Sequence, residues 1–65
     1  MHMEFDYQGK TYKSQESDEV SAKELVDSMK DEFSSMDRMN MLLADGSFML
    51  IGKIALQTGV LRIIP

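Results

Sequence analysis

Apolar residues alternate with polar ones from the start of the chain. Phe5, Tyr7 and Tyr12 are separated by polar positions, and Gln8-Gly9-Lys10 supplies a turn, so Glu4–Lys13 reads as a β-hairpin. Its register stays open. A Gln8-Gly9 turn pairs Phe5 with Tyr12 and Glu4 with Lys13; a Gly9-Lys10 turn pairs Tyr7 with Tyr12 and Asp6 with Lys13. Either register gives one aromatic and one opposite-charge cross-strand pair.

The period then changes from two to 3.6. Ala22, Leu25, Val26, Met29, Phe33 and Met36 fall on a helical stripe about 100° wide, with Lys23, Glu24, Asp27, Lys30 and Asp31 opposite. Ser21 is the N-cap, Glu24 completes a capping box, and Val20 with Leu25 can form a hydrophobic staple. Continued in phase, the helix would bring Asn40 onto its apolar stripe, so its expected end is near Ser34-Ser35. Polar residues 14–20 connect hairpin and helix.

Residues 36–44 fit two patterns. As a strand, Met39, Met41 and Leu43 share a face and Asp45-Gly46 turns the chain into Ser47–Ile51. As a short helix, Met36, Met39, Leu42 and Leu43 share a face. The Asp-Gly turn before Phe48–Ile51, apolar at consecutive positions, decides for strand. Lys53–Thr58 reads as a single helical turn closed by Gly59, with a plain β-turn at Gln57-Thr58-Gly59 between longer strands as the alternative, and Val60–Ile64 as a β-branched strand ended by Pro65. The expected fold is α+β in the order β-β-α-β-β-(helical turn)-β, with one amphipathic helix packed on a small antiparallel sheet.

Length changes the picture next. Sixty-five residues make a single domain, 1–65, in which residues 1–2 read as an appended scar. With no cysteine, and one histidine at position 2, no disulfide framework, thiolate site or histidine metal cluster is expected, and no cofactor. A domain of this size is marginal alone, and seven Met specify its core weakly. Self-association is one remedy.

Charge divides unevenly. Residues 1–33 hold nine acids and four bases, net −5; residues 34–65 hold two acids and three bases, net +1. The whole chain is at −4. Catalysis is not expected, because a nucleophile needs a base beside it and the one histidine lies at the chain end. Glu16, Asp18 and Glu19 lack the glycine and twelfth-position Glu of a calcium loop. Gly9-Lys10-Thr11 lacks the upstream glycine of a phosphate loop.

The expectation that survives is a small, acidic, non-enzymatic protein-interaction module, an accessory regulator or inhibitor that occupies a partner protein's surface. The helix face Glu24, Asp27, Asp31 and Glu32 suits a partner with a basic surface. The second half holds more hydrophobes than one helix can cover, which points to a homodimer through an apolar sheet face at Met49, Ile51, Val60 and Ile64. One alternative is nucleic-acid binding by the aromatic and lysine residues of the hairpin, disfavoured by the net charge. Another is a structural subunit of a larger assembly. The start Met-His-Met-Glu-Phe-Asp is no secretory leader, and with the lack of cysteine this gives a cytoplasmic expectation, with no membrane partner.

Overall fold

The computed structural model describes residues 1–65. Its elements are strands β1 (His2–Tyr7) and β2 (Lys10–Lys13), helix α1 (Ala22–Met29), a 3-10 turn (Phe33–Ser35), strands β3 (Arg38–Leu42) and β4 (Phe48–Gly52), helix α2 (Lys53–Thr58) and strand β5 (Val60–Ile64). The class is mixed α+β, built on two antiparallel sheets rather than one. The first has the order β2-β1-β5 and the second pairs β3 with β4.

Both sheets meet at Ser14. The Ser14 N–H donates to Met3 O at 2.8 Å, but the Met3 N–H donates to the Ser14 hydroxyl at 2.7 Å instead of to its carbonyl. The hydroxyl thus completes the ladder with β1 while the backbone turns away. Beyond that point the chain pairs with the end of β3: Ser14 bridges Leu43, Gln15 N–H donates to Leu42 O, and Ala44 N–H donates to Lys13 O. A strand that changes sheets at a bend is the usual way to turn such a corner. Ser14 is the one buried polar residue, and its polar atoms are satisfied.

The β1–β2 hairpin takes the Gln8-Gly9 register, with Phe5 opposite Tyr12 and Glu4 opposite Lys13. Gln8 and Gly9 have φ of 50° and 80°, the doubly positive geometry of a type I′ turn, which matches the strand twist. Residues 1–2 are part of the fold: His2 pairs with Ile64 at the end of β1, and the Met1 amine donates to Ser17 O at 2.7 Å.

Four elements each give one residue to the buried core: Phe5 from β1, Met41 from β3, Ile51 from β4 and Leu56 from α2. Met3, Met36, Met39 and Met49 pack around it, flexible side chains filling the space between the sheets. Gly59 lets this core close. A Cβ there would lie 2.5 Å from Phe5 Cζ, so the ring lies directly on the backbone.

Helix α1 is shorter and more peripheral than the periodicity predicts. It ends at Met29, and the Glu32 N–H donates to Met29 O in a tighter i→i−3 turn before the 3-10 turn begins. The observed last turn holds Asp27 and no basic residue, and Asp31 and Glu32 follow it directly, so acidic groups crowd the negative end of the helix dipole and give the helix no electrostatic support there. No α1 residue is fully buried; the helix lies beside β5 rather than over the centre of a sheet. No helix is long and apolar enough to cross a membrane.

Candidate interaction surface

The β3–β4 loop decides which face of β4 meets solvent. A two-residue Asp45-Gly46 turn would pair Met41 with Leu50 and leave Met49 and Ile51 outward. The observed loop is one residue longer. Leu43 N–H donates to Ser47 O and Gly46 N–H to Leu43 O, with Gly46 at φ 90°. This pairs Met41 with Met49 and Leu42 with Phe48. A shift of one position exchanges the two faces of a strand.

The outward face is therefore Phe48 and Leu50, 75% and 79% exposed, with Leu42 across the ladder at 38%. Ile54, at the start of α2, is 74% exposed. Arg38, Asn40 and Leu50 rim an open depression of about 450 Å³ beside them. Contiguous apolar side chains on open sheet surface mark interaction sites more often than single exposed hydrophobes do. Asp45 braces the loop: its Oδ1 accepts from the Ser47 N–H at 2.9 Å and the Ser47 hydroxyl at 2.6 Å. These bonds hold its carboxyl below the usual carboxylate range.

The four residues Met49, Ile51, Val60 and Ile64 are not brought together. Ile51 is in the core, 3% exposed, and Met49 packs against it. Val60 and Ile64 lie on the outer face of the three-stranded sheet, opposite Asp6 and His2. That face is ionic. Arg62 donates to Glu4 Oε1 at 2.8 Å and its Nε lies 3.0 Å from Asp6 Oδ2. His2 bridges two carboxylates, Nε2 lying 2.8 Å from Glu4 and Nδ1 2.7 Å from Glu16. The Glu4 carboxyl is held below its usual value, first by the His2 bond and then by Arg62; Asp6 is lowered first by the Thr11 hydroxyl, at 2.6 Å, and then by Arg62. The arrangement ties β2, β1 and β5 together across their solvent side. No three of the His, Asp and Glu side chains are placed to hold a metal ion.

Glu24, Asp27, Asp31 and Glu32 are all exposed on or just after α1. Asp27 meets Lys30 at 3.8 Å; the other three make no ion pair. Exposed pairs of this kind add little stability, so this acidity acts mainly as a field. The hairpin rings face inward: Phe5 is buried, stacks on Tyr7 at 6.1 Å, and Tyr7 and Tyr12 pack against the core.

Sequence reading located the apolar surplus of the second half but missed Phe48, Leu50, Leu42 and Ile54 as its exposed members. The signal available was loop length: Ala44-Asp45-Gly46 fits a three-residue hairpin with glycine in the left-handed position as well as Asp-Gly fits a shorter one. No family model, no curated protein and no solved structure matches this chain.

Proposed function

We propose that the protein is a small non-enzymatic interaction module that occupies the surface of a partner protein in the cytoplasm. The observation that carries this reading is the apolar strip Phe48–Leu50–Leu42 on the β3–β4 hairpin, exposed although the chain buries only five residues. The register of the β3–β4 hairpin turns side chains as large as Phe48 and Leu50 outward. An apolar strip supplies affinity when it is desolvated. The acidic positions Glu24, Asp27, Asp31 and Glu32 supply steering toward a basic partner, which speeds encounter more than it tightens the complex. The nucleic-acid reading lacks support from the hairpin, because its rings are engaged with the core.

The test is affinity capture from the native host's lysate with the wild-type chain and with Phe48→Ser/Leu50→Ser as baits. Both positions are exposed, so the double variant keeps the fold, checked by circular dichroism. A protein retained by the wild type and lost with the double variant supports the reading. Equal retention on both baits removes the strip from the interface and overturns it.

A further inference from the structure

The two sheets have four outer strands; β2 and β3 meet each other at the Ser14 junction, whereas β5 beside β1 and β4 beside β3 have no strand beyond them. These last two differ in how their open edges are guarded. β5 carries Arg62 in mid-strand and is followed by Pro65, two common devices against edge pairing. β4, Phe48-Met49-Leu50-Ile51-Gly52, carries no charge and no proline. Its backbone is poised as well. The Leu43 N–H bond to Ser47 O sets the alternation, so Met49 and Ile51 bond toward β3 while the N–H and C=O of Phe48 and Leu50 point to the open edge. None of the backbone bonds outside the regular elements uses Phe48 or Leu50.

We propose that β4 pairs edge to edge with β4 of a second copy of this chain, antiparallel, about a two-fold axis through Leu50. This rests on reading the β3–β4 surface as an interaction surface, and it supplies one occupant. Three features select a second copy. First, the register is self-complementary: with Leu50 opposite the partner's Leu50, the two exchange both main-chain hydrogen bonds, and Phe48 stands opposite the partner's Gly52. Second, that opposition is favourable in shape. Each Phe48 ring covers a glycine with no side chain and lies beside the Leu50 pair, the arrangement by which an aromatic residue rescues a cross-strand glycine. Third, the charges complement. β4 is preceded by Asp45 and followed by Lys53, so antiparallel pairing brings the acidic end of each copy to the basic end of the other, twice. Lys53 is free to respond, being 61% exposed and 3.7 Å from an Asp37 that is itself 80% exposed. The acidic α1 packs against β5, at the far end of the strand order, away from the pairing edge.

One edge with one apolar face buries less than the roughly 1,200 Å² of a standard interface, so the dimer is weak and concentration-dependent. Sedimentation equilibrium of the full chain, from about 10 μM to about 1 mM, brackets that range. The wild type should pass from monomer toward dimer. A synthetic chain N-methylated at Leu50 should stay monomeric and folded, because that N–H takes no part in the pairing with β3. Leu50→Lys, which opposes two ammonium groups at the axis, should also stay monomeric. Lys53→Glu should raise the dissociation constant roughly tenfold. A wild type that remains monomeric throughout overturns the proposal, as does a dimer untouched by N-methylation. A monomer whose strip still captures another protein overturns the second copy and leaves the interaction reading standing; a dimer that captures nothing does the reverse.

Discussion

The two helices invert the usual relation between local signal and structural weight. α1 has a Ser21 cap that accepts from the Glu24 N–H at 3.2 Å, a marked apolar stripe, and no buried residue. α2 follows Gly52, an N-cap with no side chain to accept a hydrogen bond, spans six residues, and buries Leu56 at 6% exposure. A helix of α2's length has no stability of its own and forms because its surroundings hold it. Helix α1, at eight residues, is also too short to stand alone, yet its surroundings give it little. Strong local coding therefore accompanies weak tertiary support here, and weak coding accompanies an anchor in the core.

The largest break in this contrast should come from Leu56→Ala, at about 2–5 kcal/mol. A domain of this length has roughly 3–10 kcal/mol in total, so urea denaturation should find the variant largely unfolded or close to it. Leu25→Ala, on the half-buried side of α1, should lower the midpoint far less. If both lower it equally, α1 is as well anchored as α2. Next is Gly59→Ala, whose new methyl would meet Phe5 Cζ at 2.5 Å and the Ala55 carbonyl at 2.9 Å. Overpacking of this kind costs about 1–3 kcal/mol. The backbone at Gly59 is extended, φ −93° and ψ −179°, so the cost is one of space, and Phe5→Leu in the same chain should recover part of it.

Ser21→Ala sharpens the contrast on the other side. It should cost about 1 kcal/mol by removing the α1 cap. Native-state hydrogen exchange should show the loss as faster opening of α1 amides, with α2 amides still exchanging through global unfolding. The smallest effect is that of acid. Glu4, Asp6 and Asp45 all titrate below their ordinary values of 4.5, 3.8 and 3.8 in the folded chain. A lowered carboxylate contributes stability above its unfolded pKa and loses it as pH falls through the folded one. The urea midpoint should hold from pH 7 to about 5 and decline below about 4. Asp6→Asn should start lower and decline less. All three groups sit on β1 or in the β3–β4 loop, so acid loosens the strand framework.

Much of the architecture is legible in the residues. Alternation located the first hairpin, the capping signature located the start of α1, and Gly59 marked the end of α2. The hairpin register needed the conformation of Gln8, which the residue type does not declare. The end of α1 was obscured because Phe33 and Met36 continue the helical phase although the chain has already tightened into a 3-10 turn. The second sheet was hidden in one hydroxyl, that of Ser14, which reads in sequence as part of a polar connection. The candidate surface was half legible: the apolar excess of residues 48–64 is plain, but the side of β4 that carries it depends on a single residue of loop length.

The Ser14 junction has a consequence for how the chain tolerates change. Once residues 13–15 are paired with 42–44, residues 16–37 form, for the strands, the connection of an antiparallel pair. Closing a longer connection is inexpensive in entropy, about 0.6 kcal/mol for each doubling. The exposed positions of α1 can therefore vary without disturbing the strands that pass on either side, as long as Phe33 and Met36 keep their places against the core. The acidic face on and just after α1 is in this sense a display on a fixed frame: the frame sets where Glu24, Asp27, Asp31 and Glu32 stand, and their charge can vary while the core residues stay as they are.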